Sequence, residues 1–138
     1  MGWSGGCACG AVRYETDGPA FNATLCHCVD CRRASGAPAL AWFSVKTGAL
    51  RWTSGAPAVH RASGKARRGH CARCGTQLTW QGDASPDEID VATATLDDPE
   101  LAPPRDHTFA SQRVSWLRVA DGLPAYPRTR REGLEPGT

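Results

Sequence analysis

A single, mainly β domain built from short strands is the fold class this sequence predicts, and three observations carry that expectation. The chain has 138 residues, the usual size of one domain. Its 15 glycines and 10 prolines interrupt the sequence too often for long helices. Its apolar residues fall in short, partly alternating runs closed by turn residues, the pattern of strands with one buried face.

The elements follow in order. Ala11 to Thr16 mostly alternates and reads as a strand, closed by the turn signal Asp17-Gly18-Pro19. Val29 to Ser35 is the one short helical turn expected, stopped by Gly36 and Pro38. Ala39 to Val45 reads as a more buried strand in which only one of Trp42 and Phe43 can face the core. Leu50 to Thr53 follows it across Lys46-Thr47-Gly48-Ala49 as its successor. Val59–Ala62 and Leu78–Trp80 are short strands around Ser63-Gly64. Glu88 to Thr95 alternates most cleanly, and the acidic residues around it read as a solvated rim. No repeat or low-complexity linker divides the chain, so the expected organisation is one domain over residues 1–132 and a flexible C-terminal tail over 133–138.

Composition excludes several classes. Hydrophobic residues are 41% and charged residues 22%, and no run approaches the ~20 apolar residues of a membrane span. Met1 to Gly6 lacks the basic patch and apolar run of a secretory signal, so the expected location is cytoplasmic, with no membrane partner. The formal net charge of +2 is too small to imply nucleic acid. Its partition is uneven: residues 1–82 carry ten Lys/Arg against three acids, and residues 83–138 carry six Arg against eleven. Basic side chains in the first part either neutralise anionic metal clusters or, at Arg32 and Arg33, face an anionic substrate.

Seven cysteines form three groups, Cys7-x-Cys9, Cys26-x-Cys28-x-x-Cys31 and Cys71-x-x-Cys74. An odd count without a secretory signal argues against a disulfide framework and for metal ligation. A thioredoxin-like redox role lacks its βαβ setting. The two outer pairs can complete one closed Cys₄ zinc site, which leaves Cys26, Cys28 and Cys31 to hold a second zinc with its fourth position open, the mark of a catalytic ion. Spacing alone also permits a zinc-ribbon-like set of Cys28, Cys31, Cys71 and Cys74, stranding the other three.

Gly5-Gly6-Cys7-Ala8-Cys9-Gly10-Ala11-Val12-Arg13-Tyr14, Cys26-His27-Cys28-Val29-Asp30-Cys31-Arg32-Arg33-Ala34-Ser35-Gly36-Ala37-Pro38 and Cys71-Ala72-Arg73-Cys74-Gly75-Thr76-Gln77-Leu78, in that order, resemble the glutathione-dependent formaldehyde-activating enzyme family, which includes centromere protein V. Leu96-Asp97-Asp98-Pro99 and Trp116 with Asp121-Gly122-Leu123-Pro124 add to the likeness. The resemblance implies a β-tent-like zinc fold and two zinc ions per chain: a structural one on Cys7, Cys9, Cys71 and Cys74, a catalytic one on Cys26, Cys28 and Cys31. It further implies a carbon–sulfur lyase reaction joining or splitting glutathione, or a similar small thiol, and an aldehyde such as formaldehyde.

On that reading the open zinc holds a thiol as thiolate, and a hydrogen-bond donor nearby stabilises the developing alkoxide. Three thiolate ligands make a weak Lewis acid, so sulfur delivery suits this site better than water activation. Arg32, Arg33 and His27 are the candidate substrate contacts. His27 lies between two ligands and therefore points away from their metal, with a structural hydrogen bond as its alternative role. Ser35 is expected to bond locally, and His70 and His107 to lie at the surface or behind the ligands. The competing function is a non-catalytic zinc module that binds another macromolecule through Arg61, Lys65, Arg67 and Arg68 or through Arg128, Arg130 and Arg131. The expected assembly is a monomer or homodimer.

Overall fold

The computed structural model describes residues 2–62 and 64–132. The tail expected over 133–138 lies outside the described residues. Ten short strands and one helix follow each other as β1 (Trp3–Gly6), β2 (Arg13–Thr16), β3 (Phe21–Cys26), α1 (Val29–Ser35), β4 (Leu40–Lys46), β5 (Leu50–Ser54), β6 (Ala58–Ala62), β7 (Ala66–His70), β8 (Gln77–Gly82), β9 (Glu88–Ala92) and β10 (His107–Thr108). The mainly β expectation holds. No described helix is long and apolar enough to cross a membrane.

The strands form a three-stranded sheet, β1-β2-β5, and a seven-stranded sheet, β10-β3-β4-β9-β8-β7-β6. All pairings are antiparallel except that of β10 with β3. The β5 strand does not continue the sheet of β4, as its position in the sequence suggests. A 3₁₀ turn at Thr47–Ala49 carries the chain out of the large sheet, and β5 pairs with β2 instead. The strand expected over Glu88–Thr95 ends at Ala92, where Thr93–Thr95 tightens into a second 3₁₀ turn. Four strands went unread in the sequence: β1, with two glycines in four residues, the irregular β3, the polar β7 and the two-residue β10.

Side chains alternate between the two faces of a strand, and in the large sheet that alternation separates a dry face from a site face. Phe43, Val45 and Val91 meet Tyr14 of the small sheet and Val12 just before it, with Leu78 and Leu96, in one core cluster. The pairing of β7 with β8 skips a residue between Gly69↔Thr79 and His70↔Gln77. Leu78 is the extra residue of that bulge, and it is wholly buried in the core. Trp42, one residue from Phe43, packs on the other side with Cys26, Cys31 and Ala92. Tyr14, whose hydroxyl lies 2.8 Å from Thr95 Oγ1, and Arg13 on Asp97 tie the small sheet to the segment that follows β9.

Candidate metal centres and substrate cavity

Cys7 and Cys9 lie in the connection between β1 and β2, and Cys71 and Cys74 in the connection between β7 and β8. Their four sulfurs converge within 4.8 Å of one another, so this one cluster joins the small sheet to the large one. Cys7 Sγ is 3.6 Å from Cys9 Sγ, and Cys9 Sγ is 3.8 Å from Cys71 Sγ. A tetrahedron with zinc–sulfur bonds of about 2.3 Å has edges of about 3.8 Å, so the donor set fits that ion without rearrangement. All seven cysteines are free thiols. Each knuckle turns an amide toward sulfur: Val12 N–H donates to Cys7 Sγ at 3.2 Å and Cys74 N–H to Cys71 Sγ at 3.4 Å. Gly10 and Gly75 close the two turns with φ of 80° and 81°, and their N–H groups bond back to the Cys7 and Cys71 carbonyls. The Thr76 hydroxyl accepts from Ala8 N–H and reaches Cys74 Sγ; with the backbone amides around it, it holds that thiol down at about 5.

The second cluster is local. Cys26 ends β3, Cys28 is the N-cap of α1 and Cys31 lies within it, and their sulfurs lie within 4.8 Å of one another. As N-cap, the Cys28 sulfur accepts from Cys31 N–H at 3.2 Å. The Ser35 hydroxyl donates to the Cys31 carbonyl at 2.8 Å, and Gly36 ends the helix at φ 73°. The three sulfurs do not share charge equally. Donation from Cys26 and Cys28, reinforced by Arg68, pulls Cys31 far below an ordinary thiol, while Cys28, Cys31 and burial push Cys26 far above one. Three crowded thiols, two of them buried, cannot all ionise beside one arginine. A divalent cation removes that conflict, so this set fits a metal as well.

The two clusters differ in their surroundings. Cys26, Cys28 and Cys31 border a cavity of about 740 Å³, and none of the other four cysteines does. Trp42, Trp80 and Phe109 supply its apolar wall. Phe109 is held at φ 54°, an uncommon conformation for an aromatic residue, and β10 leads directly into it. Asp90 stands in the same wall and accepts a 2.6 Å hydrogen bond from the Ser44 hydroxyl. Burial pushes its carboxyl up to about 6, only partly offset by that hydrogen bond. Asp90 therefore corrects the reading of the acidic run as a solvated rim. Arg130 reaches the cavity edge while bound through two 2.8 Å contacts to Asp106.

Cys26, Cys28 and Cys31 come together as the sequence suggested, but the three expected substrate contacts do not border the cavity. Arg33 is exposed, and Arg32 turns to the Gln112 carbonyl at 3.4 Å. Helical rotation carries both away from the side of α1 that presents Cys31. His27, 1% exposed, points away from the sulfurs and stacks on His107. His27 Nε2 lies 2.8 Å from His107 Nδ1, and His107 Nε2 lies 2.9 Å from Asp121. Asp121 fixes the proton on His107 Nε2, so His107 Nδ1 accepts from His27 Nε2–H and His27 Nδ1 is left without a partner among the described residues. Burial and the neighbouring His107 lower the His27 pKa. His107 is buried rather than at the surface, and His70 packs edge-on against His60.

Arg68 is the cavity residue that sequence reasoning misplaced. Grouped there with an exposed basic stretch, it is 3% exposed and places Nη2 3.5 Å from Cys31 Sγ. No local signal marks it, because its partner is 37 residues away.

No curated protein matches the chain. Its fold is similar to the crystal structure of a Rhodobacter sphaeroides protein from structural genomics, with a TM-score of 0.57 at 21% identity over 89% of this chain and 98% of that one. The model of the glutathione-dependent formaldehyde-activating enzyme family matches residues 2–112, a span that contains both cysteine clusters and most of the cavity wall. On that match the chain belongs to the glutathione-dependent formaldehyde-activating enzyme family.

Proposed function

We propose that this protein is a carbon–sulfur lyase-type enzyme that joins or splits a small thiol, of which glutathione is the model, and an aldehyde of the formaldehyde kind. The observation that carries the reading is the asymmetry of the two clusters: the three-sulfur set borders the cavity, and the four-sulfur set is not part of its lining. Cys7, Cys9, Cys71 and Cys74 would hold a structural zinc, and Cys26, Cys28 and Cys31 a catalytic one. Zinc bound at the triplet supplies an open position that lowers the pKa of an incoming thiol.

The chain's own groups do the rest. Trp42, Trp80 and Phe109 exclude water from the reacting atoms and line the route by which the thiol enters. The thiolate sulfur forms a bond to the carbonyl carbon as the C=O π pair moves onto oxygen, and that oxygen takes up a proton. The thiol proton lost and the hydroxyl proton gained balance. Asp90, with its carboxyl at about 6, is suited to carry that proton at Oδ2, since Oδ1 accepts from Ser44.

The test is zinc per chain in the wild type and in Cys28→Ser, together with exchange spectroscopy of glutathione and ¹³C-formaldehyde. Two zinc ions falling to one, with enzyme-accelerated exchange lost in the variant, is the expected result. One zinc in both proteins and no acceleration would leave a structural zinc module and overturn the assignment.

A further inference from the structure

The reaction requires a donor for the oxygen that gains charge, and the cavity offers a buried cation whose hydrogen-bonding capacity the protein only partly uses. Arg68 borders the cavity, and its Nη2 is committed to Cys31 Sγ at 3.5 Å. Its Nη1 is buried and has no partner among the described residues. The sheet register explains how it gets there. Arg68 opposes Trp80 across β7 and β8, Trp80 opposes Asp90 across β8 and β9, and Asp90 opposes Ser44 across β9 and β4. Directly opposed residues on antiparallel strands project to the same face, so the four form one row across the site face. Within that row the guanidinium reaches α1, while Asp90 and Ser44 remain two and three strands away.

A buried arginine that served only to balance the Cys31 charge would leave Nη1 desolvated for nothing, an unfavourable arrangement for a strong donor. The terminal nitrogens of a guanidinium are fixed in one plane, so Nη1 stands one fork-width from the nitrogen at the Cys31 sulfur. Arginine also keeps its charge at every physiological pH.

We propose that Arg68 is the electrophilic residue of this site, its Nη1–H donating to the oxygen of the aldehyde; the proposal rests on the reaction inferred above. As the thiolate sulfur bonds to the carbonyl carbon and the π pair moves to oxygen, Arg68 holds that oxygen without giving up its own proton. The proton that completes the hydroxyl is the one released by the thiol. In the reverse direction Arg68 holds the same oxygen while the carbon–sulfur bond breaks and its electron pair returns to sulfur.

The experiment compares wild type, Arg68→Lys and Arg68→Met for zinc per chain, glutathione binding by calorimetry, and glutathione–formaldehyde exchange by ¹³C NMR. The expected result is two zinc ions and a glutathione affinity within about threefold in all three proteins. Maximal exchange falls ~100-fold or more in Arg68→Met and less in Arg68→Lys, the scale of losing one oxyanion donor. In a fourth protein, Arg68→Ala, guanidinium ion at millimolar concentration should restore part of the lost rate. Unchanged exchange in Arg68→Met overturns the proposal while leaving the reaction standing. Loss of zinc and exchange together in every variant, without rescue by guanidinium, assigns Arg68 to charge balance alone and also overturns it. A wild type that shows no exchange sinks the reaction itself, and this inference with it.

Discussion

Replacing Asp90 with Asn should make the protein more stable and less active, and the size of the gain should depend on pH. Burial raises the Asp90 carboxyl from 3.8 to about 6, so ionising it in the folded state costs more than in the unfolded chain. The difference of about 2 pK units corresponds to no more than about 3 kcal/mol at 1.36 kcal/mol per unit. The folded state binds the extra proton between about pH 4 and pH 6, so stability falls as pH rises through that window and levels off above it. Asn carries no charge to bury and still accepts the Ser44 hydrogen bond through its carbonyl oxygen. Asp90→Asn should therefore gain up to about 3 kcal/mol at pH 7.5 and about half of that gain at pH 5.0. Urea denaturation of the zinc-loaded proteins at the two pH values measures both gains. The same variant should lose roughly 100-fold or more in exchange rate, because an amide cannot carry the proton. A gain that is equal at both pH values, or a loss of stability at pH 7.5, would refute the argument that this carboxyl is held against its own desolvation.

Two further perturbations address the framework. Gly75→Ala places a side chain at φ 81° in open space, with no heavy atom within 4 Å of the new Cβ, so only backbone strain opposes it. It should cost about 1–2 kcal/mol in urea denaturation without loss of zinc, and a change under a few tenths would show the turn to be more adaptable than its φ implies. His107→Phe keeps a ring of similar bulk but removes the acceptor of His27 Nε2–H, leaving both nitrogens of a fully buried imidazole unpaired. Expected is a loss of about 1–3 kcal/mol, and an unchanged denaturation midpoint would mean that the histidine pair contributes nothing to the fold.

What was legible in the sequence, and what was not, divides along the range of the forces involved. The helix over Val29–Ser35 was readable to the residue because its stop signal, Gly36, acts locally. The cysteine groups were readable because metal geometry constrains spacing within each knuckle. The pairing of distant knuckles, by contrast, needed either the family likeness or the coordinates. The β3 strand was hidden because Asn22 adopts φ 54° and the register with β4 shifts between Phe21 and Thr24, which breaks the alternation that marks a strand. The β7 strand was hidden for a different reason. Ala-Arg-Arg-Gly-His has the composition of a solvated turn, and only the thiolate of Cys31 makes a buried arginine tolerable there. Glu88 to Ala92 was recognised as alternating, but alternation cannot tell a solvent-facing polar row from one that lines a cavity.

That ambiguity is where the fold meets the chemistry. One sheet does two jobs because consecutive residues of the same strands face opposite ways: Phe43 and Val91 close the core, while Trp42, Ser44 and Asp90 wall the cavity. Such a sheet is unforgiving of register, since a slip of one residue exchanges the two faces completely. The four-sulfur cluster supplies a fixed point against that slip. Cys71 directly follows His70, the last residue of β7, and the cluster ties this end of the strand to the β1–β2 connection of the other sheet. Arg68 lies on that strand, three residues before Cys71. The four-sulfur cluster therefore anchors the strand from which Arg68 reaches Cys31 of the three-sulfur one.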